Sequence, residues 1–376
     1  MQITKIFLKD YRNFDELNLK PEVAINIFLG RNAQGKTNIL EAVNFASLGR
    51  SRATKDFELV RRGEIAALIR INFLKADISH ELAIEISASS KSRRVLLDGN
   101  EIKFRALVGK LLSVMFSPED LFMFKNSPSV RRKFLDAEIS QSSPIYFSSL
   151  VTYNRLVAER NNLLKKIREG LVSPANLDLW TEQLSIAAAK ITSMRLLAID
   201  KLNLLANAAH KKISSQAENF SVRYDFHGLQ NFDRGEFEKI CLQEEKLAKC
   251  YHDILIDRKF FDIKRGSTSL GPHLDDLQFF INGNELRLYG SQGQLRTAAL
   301  SLKLADLQFL KSETGEYPIL LLDDVMSELD ADRREQLLNF LVREKIQTLI
   351  TATEEAYFPP EHFGKIFYVE SGMINV

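Results

Sequence analysis

The sequence predicts an α/β fold: a mixed sheet that carries a phosphate-binding loop, an antiparallel β-subdomain beside it, and a mainly helical arm inserted between the two ends of the chain. Three observations carry that prediction. Gly30-Arg31-Asn32-Ala33-Gln34-Gly35-Lys36-Thr37-Asn38 follows the apolar run Ala24 to Leu29 and opens a helical pattern. Ile319-Leu320-Leu321-Leu322 is a continuous apolar run that closes on Asp323-Asp324, as a central parallel strand covered on both faces does. Between roughly Ser129 and Phe261, most segments have helical spacing.

The 376 residues suffice for a large domain with a sizeable insertion, or for two domains. With 51 Lys+Arg against 49 Asp+Glu the net charge is only +2, so any polyanion site must be a local patch. Cys241 and Cys250 fit no zinc or redox spacing and read as reduced bystanders of a cytoplasmic protein. No signal sequence opens the chain and no apolar run reaches a membrane span, so no membrane role is expected.

In chain order, residues 1–29 read as a hairpin that sets a short edge strand, with Ile3, Ile6 and Leu8, beside the central run that ends at Leu29. Asn38 to Leu48 places Ile39, Leu40, Ala42, Val43 and Ala46 on one helical face. Ser51 to Arg62 is dense in Arg52, Lys55, Arg61 and Arg62 and reads as an exposed loop. From Ile65 to Phe104 the period is two, which predicts the antiparallel subdomain. Val114 to Phe116 follows as a short strand, and Ser117-Pro118-Glu119-Asp120 caps a helix.

The arm is read as three helices, Pro144–Glu169, Pro174–Ser214 and Phe237–Phe261, with a short strand Phe220–Phe226. Leu277–Ile281 and Leu286–Tyr289 flank Asn282-Gly283-Asn284 as a hairpin, and a long helix spans Gln292–Leu310. After the acidic strand come a helix Ala331–Glu344 and strands Thr348–Thr351 and Lys365–Val369. The expected division is a head in two parts, 1–125 and 266–376, around an arm at 126–265.

The chemistry begins at the loop. Gly30 and Gly35 permit backbone conformations in which successive amides, from Arg31 and Asn32 through Ala33 and Gln34, curl around a polyphosphate at a helix N-terminus. Lys36 would lie between the β- and γ-phosphates, and the Thr37 hydroxyl would join the shell of a magnesium ion. Asp323 is placed to reach that Mg2+ through water, and Asp324 to face the γ-phosphate and orient or deprotonate the attacking water. Lys36 and Asp324 are therefore the catalytic candidates, and Thr37 and Asp323 the metal candidates. Ser291-Gln292-Gly293-Gln294 starts the long helix with a hydroxyl, a glycine and open amides, either an ordinary cap or an anion-binding end. Arg296-Thr297 and the helix running to the acidic strand favour the second, and Ser327-Glu328-Leu329-Asp330 follows the acids.

That order resembles the ABC-type ATPase core. Gly271-Pro272-His273-Leu274-Asp275-Asp276, Ser291 to Thr297 and Leu321 to Asp330 are similar to the RecF family of bacterial recombination mediators. So are Leu8 to Phe14, Ser117 to Leu121 and Arg131 to Asp136, which extends the resemblance from end to end. Leu274 and Leu295 stand where that family often carries Arg and Gln. Thr351-Ala352-Thr353 occupies the place of the transporter ATPases' switch histidine, which implies slow turnover.

The resemblance implies ATP and Mg2+ as cofactors and an ATP-dependent homodimer. Ser291, Gly293 and Gln294 of one chain, with Asp330, would close on the nucleotide held by Gly30 to Asn38 of the other. It also implies binding of duplex, gapped or junction DNA in support of recombinase loading, repair and the SOS response. RecR and, functionally, RecO are the implied protein partners. Candidate DNA contacts are Arg52, Lys55, Arg61 and Arg62, and Lys91, Arg93 and Arg94, since neutralised phosphates release counterions. The absence of an aromatic ladder favours duplex next to a gap over single strands. An SMC-like chromosome ATPase is the first alternative, opposed by the short insertion. A transporter ATPase subunit and a small-molecule kinase are the others.

Overall fold

The computed structural model describes residues 1–49, 55–214, 218–228, 239–240, 243–358 and 364–375. The chain divides into two compact units, one built from Met1–Phe122, Ala208–Glu218 and Ser291–Val376, the other from Met123–Asn207 and Asn219–Gly290.

Two sheets make the first unit. One is antiparallel, in the order β2-β1-β4-β5-β6-β7, from β1 (Gln2–Tyr11), β2 (Phe14–Leu19), β4 (Ala66–Lys75), β5 (Ile78–Ser87), β6 (Arg93–Leu97) and β7 (Asn100–Ile102). β4 buries Ala67, Ile69, Ile71 and Phe73 at every second position, the alternation that gives a sheet one dry face. The other sheet runs β15-β14-β3-β13-β12-β8 and is parallel from β14 (Lys365–Glu370) through β3 (Ile25–Leu29), β13 (Thr348–Ala352) and β12 (Ile319–Asp323) to β8 (Ser113–Phe116). Only β15 (Met373–Asn375) is antiparallel. All five residues of β3, β12 and β13 are buried, as in strands covered on both faces, and the side chains are mostly apolar. Helix α1 (Lys36–Leu48) buries Ile39, Leu40, Ala42, Val43, Phe45 and Ala46 in a core shared with both sheets.

The opening hairpin needs correction. β1 is no edge strand, because it pairs with β2 on one side and with β4 on the other, and the run to Leu29 lies in the parallel sheet. A period-two strand and a buried one follow each other in sequence here, yet they belong to different sheets. Ser117-Pro118-Glu119-Asp120 opens a 3₁₀ segment, Pro118–Phe124, in which the Asp120 carboxylate accepts from the Ser117 amide and hydroxyl.

In the second unit the helices are α2 (Pro128–Ser142), α3 (Pro144–Arg168), most of α4 (Leu177–Ile213), α5 (Glu244–Asp257) and α6 (Lys259–Arg265). A single expected helix over 237–261 is thus two, divided at Arg258, and its start at Phe237 and Cys241 lies outside the described residues. The hairpin expected to begin the C-terminal head segment also belongs to this unit. β10 (Asp276–Ile281) pairs with β9 (Phe220–Asp225) and with a two-residue β11 (Asn284–Glu285). Leu286–Tyr289, read as the second hairpin strand, forms a single helical turn, α7, instead.

A polar network closes the unit's centre. Arg195 donates to Asp136, to Tyr224 and to the Pro272 carbonyl, while the Arg131 guanidinium pairs with the Asp276 carboxylate at 2.7 Å. The motifs Arg131 to Asp136 and Gly271 to Asp276 therefore meet inside the arm. A buried guanidinium with carboxylate and carbonyl acceptors holds one geometry, and removing one partner leaves an uncompensated charge. His273 accepts from or donates to the Tyr153 hydroxyl, and burial pushes its pKa down to about 4.

Candidate functional site: a strapped phosphate loop facing two acids

The loop leaves β3 at Gly30 and enters α1 at Gly35. A Cβ on Gly30 would come within 2.3 Å of the Val369 carbonyl oxygen on β14. Gly35 has φ +106, and a Cβ there would meet the Asn13 side chain at 2.3 Å. Both positions therefore demand glycine, one for room and one also for backbone geometry. Ala33 also takes a left-handed conformation, φ +63, at the loop's tip. α1 begins with no side-chain cap at Gly35. The Asn38 amide donates to the Gly35 carbonyl at 3.0 Å, and no side chain caps the turn ahead of it, which is the property that makes such an end a phosphate site.

Lys36 is buried and folds back, donating to the Gly30 carbonyl and, at 2.8 Å, to that of Arg31. Burial lowers its pKa, opposed by Asp324 and then Asp323. The Thr37 hydroxyl donates to Asp323 Oδ1 at 2.7 Å across 286 residues of sequence. Asp323 Oδ1 also accepts from the Thr351 hydroxyl at 2.9 Å, and Thr351 Oγ1 in turn accepts the Asp324 amide at 2.9 Å. The parallel register that pairs Asp323 with Thr351 produces that bridge. Thr351, noted in the sequence only for not being histidine, thus links the Asp323 carboxylate to the Asp324 backbone.

Asp324 adopts φ +52, and its Oδ1 is buried without a hydrogen-bond partner. Burial raises its pKa, Lys36 opposes the rise, and Asp323 and Glu328 add to it. An aspartate held in a left-handed conformation, with an unpartnered oxygen, is strained and undersatisfied at once, a combination that clusters at reacting centres. Oxygen ligands from Thr37 and Asp323, two glycines that keep a cradle open and a lysine beside them fit magnesium with a nucleoside triphosphate.

The strap over the loop escaped sequence reading. Asn13, in the turn between β1 and β2, donates to the Gln34 carbonyl at 3.1 Å and accepts from Asn38 Nδ2 at 2.7 Å. Beside it Arg12 clamps Glu41 of α1 through Nε and Nη2, and the Ser371 amide donates to Gln34 Oε1 at 2.6 Å. Gln34 and Asn38 are therefore held by the scaffold, whereas Arg31 and Asn32 are exposed. Tyr11-Arg12-Asn13-Phe14 is visible in the sequence as a turn, but no spacing rule joins it to a loop twenty residues later.

The second anion-end candidate is built differently. Ser291 accepts from the Gln294 amide at 3.2 Å and the Gln294 side chain accepts from the Ser291 amide at 3.1 Å, a complete capping box on α8 (Gln292–Thr314). Gln294 Nε2 also donates to Glu218 at 2.8 Å. Gly293 is exposed, with open space where a Cβ would stand. Among the described residues, no hydrogen bond joins Ser291, Gly293 or Gln294 to residues 30–38, so one chain does not bring these two elements together. Asp330 caps the helix Ala331–Arg343, accepting from the Arg333 amide and pairing with the Arg333 guanidinium.

In the basic clusters, Arg61, Arg93 and Arg94 are paired with acids. Arg61 contacts Asp10, Asp15 and Glu64; Arg93 bonds Asp56 and lies over Phe104; Arg94 pairs with Glu101 and Glu85. Charge runs read from sequence do not show which charges are already neutralised. Lys55 and Lys91 flank the Phe57 ring from exposed positions, and Arg52 lies outside the described residues.

A phosphate loop on a parallel sheet, an acidic strand end against its threonine, an antiparallel subdomain and a separately capped helix define a P-loop ATPase head of the ABC type. A family model described as RecF/RecN/SMC N terminal domain matches residues 2–375. The chain is 41% identical over 381 residues to the DNA replication and repair protein RecF of Halothermothrix orenii, covering all of this chain and 99% of that one. It is 40% identical to the protein of the same description from Clostridium botulinum, with full coverage of both. A solved structure of the recombination mediator protein RecF with ATP superposes at a TM-score of 0.88 with 36% identity, covering 100% of this chain and 97% of that one. A second, described as RecF-ATPrS, gives 0.89 and 34% with 99% and 97% coverage. An Smc head bound to the C-winged helix domain of ScpA, at 0.58 and 14%, covers 100% of this chain and 96% of that one and shares the fold. This chain belongs to the RecF family.

Proposed function

We propose that the protein is an ATP-dependent DNA-binding mediator whose nucleotide site is completed by a second copy of the chain. The observation that carries the reading is the 2.7 Å contact between Thr37 of the loop and Asp323 of the acidic strand, with Lys36 beside them. Gly30 to Asn38 bind ATP, the uncapped α1 end receiving the phosphates, and Thr37 and Asp323 are the residues that would hold Mg2+. When bound, Mg2+ supplies charge neutralisation on the phosphate oxygens. Lys36 leaves its loop carbonyls for the phosphates, Asp324 orients the attacking water and accepts its proton, and Thr351 keeps both acids aimed. Because Ser291 and Gly293 lie on an exposed helix end, they are assigned to the nucleotide of the partner chain, with Asp330 nearby. Hydrolysis is slow and stimulated by DNA, and ATP acts chiefly as a dimerisation switch.

The DNA reading rests on the relatives: two are described as DNA replication and repair proteins and one structure as a mediator of the RecFOR pathway. Duplex, gapped and junction DNA are the proposed ligands, RecR and RecO the proposed partners, and recombinase loading, replication restart and the SOS response the proposed setting, in the cytoplasm at the nucleoid. Among the described residues no helix is long and apolar enough to cross a membrane. ATP turnover measured against protein concentration, with and without gapped duplex, tests the whole. A rate that rises with the square of concentration at low concentration, and rises further with DNA, is expected. Turnover strictly proportional to concentration throughout, and indifferent to DNA, would refute composite sites.

A further inference from the structure

Two residues from the end of α4 reach the start of α8. His210 lies on the last turn of α4 and Glu218 shortly after it, and both belong to the first unit together with Ser291. The Gln294 carboxamide is engaged at both ends: its oxygen accepts from the Ser291 amide at 3.1 Å and its nitrogen donates to Glu218 Oε1 at 2.8 Å. Glu218 Oε2 lies 3.1 Å from Nε2 of the fully buried His210, whose Nδ1 lies 3.1 Å from the Ser301 hydroxyl. Ser301 donates to the Thr297 carbonyl at 2.6 Å, and the Thr297 hydroxyl donates to the Gly293 carbonyl at 3.0 Å. The contacts therefore leave the helix end at Ser291 and return to it at Gly293. Because Ser301 spends its proton on Thr297, Nδ1 must donate to it, and the Nε2–Oε2 contact holds one further proton, on the ring or on the acid. The Ser291 hydroxyl, which accepts from the Gln294 amide, keeps its own proton for an acceptor outside the helix.

We propose that Glu218 and His210 are positioning residues for the composite nucleotide site: they hold Gln294 as a brace, so that Ser291 and Gly293 present one geometry to the nucleotide of the partner chain. This rests on the assignment of that helix end above. Gln294, occupied at both ends of its carboxamide, shapes the surface rather than contacting phosphate. A half-buried glutamine held in one rotamer gives up conformational freedom, and an acceptor already fixed by the fold keeps it ordered before the partner arrives. His210 acts one step further back, fixing the carboxyl group that fixes the carboxamide.

Two measurements on the full chain test it: sedimentation with saturating Mg-ATP, and binding of a fluorescent ATP analogue at concentrations where the chain is monomeric. Glu218→Ala should raise the protein concentration needed for ATP-dependent pairing by about tenfold or more, since a hydrogen bond worth about three- to tenfold is lost at each of two sites. Glu218→Gln should pair within about twofold of wild type, because its oxygen still accepts from Gln294 and its nitrogen can donate to Nε2 of a neutral His210. Gln294→Met leaves Glu218 and His210 in place and should weaken pairing as much as Glu218→Ala does, with the double variant no weaker than either. Affinity of the single chain for the analogue should stay within about twofold throughout, because the brace lies on the other face of the composite site. Glu218→Met, which keeps the volume, serves the same comparison should Glu218→Ala fail to fold. Unchanged pairing in Glu218→Ala, no rescue in Glu218→Gln, or additive losses in the double variant each overturn the brace. Wild type that stays monomeric with ATP would instead refute the composite site itself, and the brace with it.

Discussion

Two helices of the first unit start at candidate anion sites, and they start in opposite ways. α1 has a glycine at its cap, no side chain on its first amides, and a strap from Asn13 that shapes the loop from outside. α8 begins with a hydroxyl and an amide that satisfy each other. An end without its own side-chain cap can receive an anion without first giving up a cap. An end with a full capping box must trade a hydrogen bond worth about 1 kcal/mol for any anion it meets, which suits a contact that is made and broken. The difference teaches that the loop stores its readiness in the fold, whereas the Ser291 end stays stable until another surface engages it.

The largest expected effect is at the lysine. Lys36→Met should weaken binding of a fluorescent ATP analogue at least 100-fold, about 3 kcal/mol or more, since an ion pair with polyphosphate is lost in a partly buried site. Binding within fivefold of wild type would remove the distinction between the two helix ends. Next is Gly35→Ala, where positive φ and the Asn13 contact coincide. It should lower thermal stability by about 1–3 kcal/mol, measured by denaturant unfolding, whereas Gly293→Ala, meeting nothing, should be neutral or stabilise by up to about 1 kcal/mol. Equal effects at both glycines would contradict the geometry.

Ser291→Arg should cost about 1 kcal/mol of stability through the lost cap and leave nucleotide affinity within about threefold. Sedimentation should then show a chain that binds ATP yet stays monomeric at concentrations where wild type pairs. ATP-dependent pairing of that variant would break the assignment of the α8 end to the partner. Thr351→Val removes the link between the Asp323 carboxylate and the Asp324 amide while keeping shape. Turnover should fall roughly tenfold with nucleotide affinity nearly unchanged, read by comparing the two titrations.

Much of this was legible in residue order. The loop pattern with its preceding strand, the apolar run into Asp323-Asp324, and the alternation over β4 to β6 each follow from local chemistry, so type and placement came through. The partition of β1 and β3 into different sheets did not, because adjacent apolar runs do not say which neighbours they will find. Leu286–Tyr289 failed for a related reason: four apolar-rich residues after an Asn-Gly turn fit a strand or a helical turn equally, and packing decided. The ion pairs of Arg61 and Arg93 were not legible either, because most of their acids lie far along the chain, 46 to 51 residues away for Asp15 and Asp10 and 37 for Asp56.

By itself the sequence determined which residues are candidates for phosphate and metal, since the residue types and their spacing limit which groups can serve. The tertiary structure alone decided how they are held: Thr351 between the Asp323 carboxylate and the Asp324 backbone, and Asn13 across the loop. Each of those contacts joins residues more than twenty positions apart, and their distances are set by strand register and helix packing, which no local pattern of side chains records.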